Sequence, residues 1–229
     1  MGPVAHPARP LIRLLLRELT DLPDGTRVLS VGEGDGRYVE ELARAFPRLR
    51  FVAFDIDPGA VARIASRKHA HGITNLQAFV GDADRIPLRT KSIDVAYVRS
   101  VLPWLLDPEA HVREIARTTR SVVVYRDVLN GPFYVLNRRL QSAFLRLRGK
   151  RSDAELMVRV ALRANAMATT RAHGLSIARW LRRTRLFSRV ELLGTDLLWW
   201  DLDRSVPVLG LCGAKISLRC VVAPPALSR

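Results

Sequence analysis

The sequence predicts an α/β fold, a mostly parallel sheet with helices on both faces, from three observations. Short apolar runs alternate with segments whose apolar residues step by three or four. Loops rich in glycine or aspartate follow the first three of those runs. Five runs fall within the first 125 residues, at a spacing that suits strands joined by helical crossovers. Such crossovers are right-handed, so few topologies remain.

Leu11, Leu14, Leu15 and Leu19 lie on one helical stripe, so residues 8–20 read as a leading helix, ended by the turn formers Asp21-Leu22-Pro23-Asp24-Gly25. Arg27 to Val31 is a short buried strand. The loop Gly32-Glu33-Gly34-Asp35-Gly36 delivers it into a helix carrying Val39, Leu42, Ala43 and Phe46. A second strand, Arg50 to Phe54, ends in Asp55-Ile56-Asp57-Pro58, and the proline suits the first turn of a helix with Val61, Ile64 and Ala65 on its face. Gln77 to Val80 is a third strand, ending in Gly81-Asp82-Ala83-Asp84. Ser92 to Val98 is a fourth, a helix follows near Pro108 to Arg117, and Ser121 to Tyr125 is a fifth.

After Asp127 the alternation stops. Phe133, Leu136, Leu140, Phe144 and Leu147 make Pro132 to Arg148 an amphipathic helix, and Asp153 to Thr169 reads as another. A third helix, Ser176 to Thr184, leads into a strand from Ser188 to Leu193. Ala214 to Val222, with Ile216, Leu218 and Cys220 alternating against Lys215, Ser217 and Arg219, is the final strand. The 229 residues suit one domain, 1–229, with residues 128–172 as a helical insertion.

No apolar run approaches the roughly 20 residues of a membrane span, and Arg13, Arg17 and Glu18 make the leucine-rich start an amphipathic helix rather than a signal peptide. A cytoplasmic location is expected. Cys212 and Cys220 lack zinc-site spacing, and the five histidines are scattered, so no metal site is expected. The net charge of +15 is concentrated: residues 126–189 hold fifteen Lys and Arg against three acids. With 33 Arg and only 4 Lys, this can be the composition of an arginine-favouring genome, or a cationic surface for a phosphate-rich partner, an anionic membrane or an acidic substrate.

A strand, a glycine loop and a helix start together let a ligand approach backbone, with free N–H groups at the helix terminus. The spacing is GxGxG, and Arg37 stands where a dinucleotide fingerprint asks for its third glycine, which leans away from NAD. Asp55, nineteen residues after Gly36 at the end of the second strand, is placed to accept both ribose hydroxyls. Asp82, at the end of the third, is placed to meet an adenine amino group. These strand ends open onto one crevice, so three features converge on an adenosine-shaped site.

At these residues the chain resembles the class I S-adenosylmethionine-dependent methyltransferases of the small-molecule type. Val28-Leu29-Ser30-Val31-Gly32-Glu33-Gly34-Asp35-Gly36 resembles the family's first motif, Asp55 its ribose-binding acid, and Gly81-Asp82-Ala83 its adenine-contacting turn. Ser92 to Val98 looks like its fourth strand, and Arg179 to Gly194 like its late helix and sixth strand. The resemblance implies a Rossmann-like seven-stranded sheet of order 3-2-1-4-5-7-6 with the last strand antiparallel, and S-adenosylmethionine as cofactor. It implies a cofactor set of Ser30, Gly32, Glu33, Gly34, Gly36, Asp55, Ile56, Asp82, Ala83 and Arg99. Two departures stand out. Ser30 replaces the acid that many members carry two residues before the first glycine, and the Pro-Gly-Gly turn before the fifth strand is missing. Glu33, Asp35 and Arg99 are the candidates to replace that acid at the methionine end.

Methyl transfer from a sulfonium needs in-line positioning more than a dedicated base, so no catalytic residue is assigned. Trp104, Tyr125, Arg126, Asp127 and Tyr134 are substrate candidates, each with a structural alternative: Arg126 and Asp127 as a salt bridge, Trp104 as core packing. The fourth strand is followed by Arg99-Ser100-Val101-Leu102-Pro103-Trp104, not the Asn/Asp-Pro-Pro-aromatic motif of many base and glutamine methyltransferases. The basic insertion reads as a lid over a small metabolite, apolar or anionic, such as a quinone, polyketide or lipid precursor. In one variant the lid rests on an anionic membrane surface, making the protein peripheral there. An RNA methyltransferase using the arginines on phosphates ranks below, because the segment offers few aromatics for stacking. A non-catalytic cofactor-binding partner subunit is the third reading. The oligomeric state is left open.

Overall fold

The computed structural model describes Leu15 and residues 18–102, 105, 107–128, 143, 146, 147, 149, 174–197, 200–202 and 215–224. The insertion at 128–172 therefore lies almost wholly outside the described residues, as do Trp104 and Tyr134. The strands are β1 Arg27–Val31, β2 Arg50–Asp55, β3 Leu76–Val80, β4 Ile93–Arg99, β5 Thr119–Val128, β6 Phe187–Leu197, β7 Trp200–Leu202 and β8 Lys215–Val222. The helices are α1 Arg37–Ala45, α2 Pro58–Ala70, α3 Pro108–Thr118 and α4 Gly174–Arg183.

The sheet runs β3-β2-β1-β4-β5-β8-β6-β7. β3, β2, β1, β4 and β5 pair in parallel, while β8 is antiparallel to both β5 and β6. This is the expected seven-stranded frame with β8 as its seventh member, extended by a short eighth strand. Gly194 reads as the end of the sixth strand. In the structure the pairing with β8 shifts register between Leu192 and Gly194 and continues to Asp196, and β6 runs on to Leu197, which turns back through the Leu197↔Trp200 pair into β7. A glycine inside a strand marks a pairing irregularity as readily as an end.

Alternating residues of the central strands feed two cores. Leu29, Val31, Ala96, Val98 and Val123 pack with Val112 and Ile115 of α3 and Ile177 and Leu181 of α4. Val28, Val95, Tyr97, Val122 and Val124 pack with Val39 and Leu42 of α1, Ile64 of α2, and the leading-helix residues Leu15 and Leu19. Helices thus cover both faces, as a sheet buried on both sides requires. The β3–β4 connection, residues 81–92, carries no helix, only a bridge between Asp82 and Arg85 and turns. No helix among the described residues is long and apolar enough to cross a membrane.

Helix starts follow local chemistry. Asp57 accepts from Gly59 N (2.8 Å) and Ala60 N (3.1 Å), with Pro58 in the first turn of α2. Asp107 does the same for α3 ahead of Pro108. α1 starts from Gly36, at φ +78°, where an added Cβ would lie 2.7 Å from Ile64 Cγ1 and 3.2 Å from Ile64 Cα. Gly36→Ala combines left-handed strain with overpacking against α2 and is expected to cost roughly 2–4 kcal/mol. The check is a lower urea midpoint with an unchanged m-value; an unaltered midpoint refutes the close approach.

Candidate cofactor site

The crevice lies at the carboxyl ends of β1 to β4, where the chain leaves the adjacent strands β1 and β4 for helices on opposite faces of the sheet. Gly32 N donates to Phe54 O (3.0 Å), which pins the glycine loop to the end of β2. Gly34 sits at φ +67°, and a Cβ there would meet nothing within 4 Å, so the loop faces open space. Its N–H donates to Asp55 Oδ2 (2.8 Å), while Asp57 N donates to Oδ1 (3.0 Å). Each carboxylate oxygen keeps a second lone pair for an incoming hydroxyl.

A cavity of about 430 Å³ brings together Gly32, Asp55, Ile56, Asp82 and Ala83 from the sequence-derived set. That volume lies in the range of small-molecule sites. Its walls also include Phe54, Gly81, Asp84, Ser100, Val101 and Leu105. Ile56 is 69% exposed although apolar, an arrangement suited to covering a flat ligand ring. Asp82 accepts from Asp84 N (2.9 Å) through Oδ1. Sequence reading missed Asp84, which it took only as the end of a loop. One Asp84 carboxyl oxygen is buried without a partner, and burial, reinforced by the charges of Asp82 and Asp107, raises its pKa above the usual carboxylate value. An unpaired buried acceptor on the cavity wall suits an amino group of a ligand.

Ser30, Glu33, Gly34, Gly36 and Arg99 lie outside the walls of this cavity. Glu33, 1% exposed, is turned inward. Its Oε1 accepts from Tyr38 N (3.1 Å) and Val39 N (3.0 Å), and its Oε2 accepts from the Ser30 hydroxyl and from Tyr97 OH (3.3 Å). The expectation that the helix start offers free N–H groups is thereby corrected at these two positions. Gly36 has no side chain to cap α1, so Glu33 supplies the acceptor. Burial pushes the Glu33 pKa up, against the hydrogen bonds from Ser30 and Val39 and the charge of Arg99. Asp35 is spent on Arg37, at 2.9 Å from Nε.

Arg99 ends β4 beside this network. Its guanidinium lies 4.1 Å from the Tyr38 ring centroid, and its Nε is buried with no hydrogen-bond partner. Ser100, next in the chain, holds φ +56°, a left-handed conformation that is uncommon outside glycine. Tyr125 and Arg126 are buried at the end of β5. Arg126 donates to Ser217 Oγ (3.2 Å) of the paired strand. Asp127 pairs with Ile216 through the backbone, and its side chain is outside the described residues.

His111 carried no signal in the sequence. It is fully buried in α3, its Nδ1 lies 3.0 Å from Ala83 O, and its ring meets Tyr125 edge-on at 6.1 Å. Burial lowers its pKa to about 4, so the ring is neutral and Nδ1–H donates to the turn that walls the cavity. Among the described residues no group of three metal-ligating side chains exists.

Residues 29–123 match the family profile described as a methyltransferase domain. The chain is similar to the malonyl-[acyl-carrier protein] O-methyltransferase of Methylococcus capsulatus, 30% identical over 98 residues, which are 43% of this chain and 35% of that protein. It is also similar to the tRNA (guanine-N(7)-)-methyltransferase of Lactobacillus gasseri, 31% identical over 104 residues, 44% of this chain and 46% of that protein. The matched segment thus spans less than half the length of either relative. Among solved structures, a SAM-dependent methyltransferase from Aquifex aeolicus superposes with a TM-score of 0.59 at 14% identity, covering 93% of this chain and 89% of that one. The CurJ carbon methyltransferase superposes with a TM-score of 0.65 at 10% identity, covering 93% and 53%. These likenesses show the fold.

Proposed function

We infer that this chain, which carries the methyltransferase domain at residues 29–123 on the class I fold, is an S-adenosylmethionine-dependent methyltransferase acting on a small, apolar or anionic metabolite. One observation supports the cofactor part above others: a single cavity gathers Asp55, Ile56, Asp82 and Asp84 beside a glycine loop whose Gly34 faces open space. Asp55 would hold the ribose hydroxyls, and Asp82 with Asp84 the adenine amino group. The bound cofactor supplies a methyl group activated on a sulfonium. The protein's task is then to align an acceptor with it and keep water out.

Arg99 would bind the carboxylate of the methionine part, because its Nε is buried without a hydrogen-bond partner and its guanidinium is backed by Tyr38. Arg99→Gln is expected to weaken S-adenosylhomocysteine about 10- to 100-fold, the scale of a lost charge-assisted hydrogen bond. 5′-Methylthioadenosine, which lacks the carboxylate, should bind within about 2-fold of wild type, since none of that interaction is available to lose. Equal losses for both ligands would place Arg99 elsewhere in the site.

The apolar wall of Val101 and Leu105, and the absence of an Asn/Asp-Pro-Pro-aromatic run after β4, support a small acceptor. A lipid-like acceptor collected at an anionic membrane by the basic insertion is part of the same reading. The similarity to a tRNA methyltransferase favours RNA as the second one. Purified protein incubated with methyl-labelled S-adenosylmethionine and fractionated extract separates them. Label in lipid or small metabolites supports the first reading and label in RNA the second. Cofactor binding without label supports a non-catalytic partner subunit.

A further inference from the structure

At the other end of the strands from the cofactor cavity lies a second groove, of about 820 Å³. It is bounded by the first residues of β1, β2 and β4, by the chain entering β3, and by Pro87-Leu88-Arg89 of the helix-free β3–β4 connection. Where a crossover helix would cover the sheet, Val52, Phe79 and Leu88 are only partly buried and floor the groove. Four arginines line it, Arg27, Arg48, Arg50 and Arg89, and no aspartate or glutamate does.

Two of the four are structural. Arg48 donates to the carbonyls of Leu22 and Thr20 and meets Asp24 at 3.3 Å. Arg27 Nη1 donates to Ser92 O at 3.4 Å. The side chains of Arg50 and Arg89 are exposed and make no hydrogen bond or ion pair among the described residues. A recess lined by charge of one sign focuses potential and draws in counter-charge. The apolar floor with its half-buried aromatic, and a cationic rim of planar guanidiniums, match a ligand with a flat ring and a phosphate.

We propose that this groove binds a nucleotide, its phosphate on Arg50 and Arg89 and its base over Val52 and Phe79, either as a free mononucleotide or as a unit of a single-stranded RNA. The groove shares no lining residue with the cofactor cavity, although Phe79 stacks on Phe54 of the cavity wall with centroids 5.4 Å apart, and it does not depend on the cofactor reading.

The test is fluorescence polarisation of a labelled single-stranded RNA of about ten nucleotides, enough to fill a groove of this kind. Wild type is compared with Arg50→Gln/Arg89→Gln, with Arg89→Gln alone, and with Arg44→Gln/Arg113→Gln, which removes two exposed arginines outside the groove. The groove double variant is expected to lose at least about 10-fold in affinity, the single variant part of that. The slope of log affinity against log salt should fall by about 1.4, two single-strand phosphate contacts. The control pair should behave as wild type, and S-adenosylhomocysteine binding should be the same in all four proteins. AMP displacing the RNA would mean that a mononucleotide suffices, and RNA binding that AMP does not displace would mean that the strand is required; both support the groove. Equal weakening by the groove and control pairs would reduce the effect to bulk charge and overturn the proposal. Failure of wild type to bind either RNA or AMP would overturn it too.

Discussion

Asp55→Ala is expected to weaken S-adenosylhomocysteine binding about 100-fold, close to 2.7 kcal/mol, as two hydrogen bonds from ribose hydroxyls to an ionised acceptor are lost. The same carboxylate accepts from Gly34 N and Asp57 N, so alanine also frees the Gly34 part of the glycine loop, while Gly32 N stays on Phe54 O. Asp55→Asn grades the two effects. It keeps one acceptor oxygen but turns its amide NH2 toward one of the two backbone N–H donors. The unliganded protein should therefore melt below wild type and above Asp55→Ala, while affinity falls about 10-fold, the loss of one charged hydrogen bond. Calorimetric titration of all three proteins decides it. An unchanged dissociation constant in Asp55→Ala removes Asp55 from the site. Weakening confined to alanine, with asparagine like wild type, would assign it to loop positioning alone.

Acidification is expected to cost about 3 kcal/mol through His111 alone. The imidazole has its ordinary pKa near 6.5 when unfolded and about 4 in the fold, where burial disfavours its charged form. Protons therefore bind the unfolded chain more tightly, and stability is full above pH 6.5 and falls as the pH drops towards 4. Glu33 works in the opposite sense: its raised pKa makes its contribution decline as the pH rises from the ordinary glutamate value. Comparing urea unfolding of wild type with His111→Gln isolates the histidine, because Glu33 is common to both. Between pH 6.5 and 4 the variant should lose about 3 kcal/mol less stability than wild type, the histidine's share of the slope. A wild-type slope that survives the substitution would assign the acid sensitivity elsewhere.

Most of the frame was legible because its signals are local. The alternation of strands and helices, the proline and aspartate at the starts of α2 and α3, and the positions of Asp55 and Asp82 at strand ends depend on residues close in the chain. β7 was not legible, because its pairing depends on β6 continuing past Gly194, and the partner strand β8 carries that decision.

What the sequence determined by itself was therefore the α/β class and, through its family resemblance, the strand order; of the ten cofactor residues it named, Gly32, Asp55, Ile56, Asp82 and Ala83 line the cavity. Only the tertiary structure decided what each side chain is free to do there. Glu33 caps α1 and meets Tyr97, 64 residues away, instead of facing a ligand. Arg126 turns to Ser217, 91 residues on, and His111 reaches the turn at Ala83 from the next helix. A buried polar group takes whichever partner the packed chain brings within hydrogen-bond distance, and a linear pattern of residue types does not encode that distance.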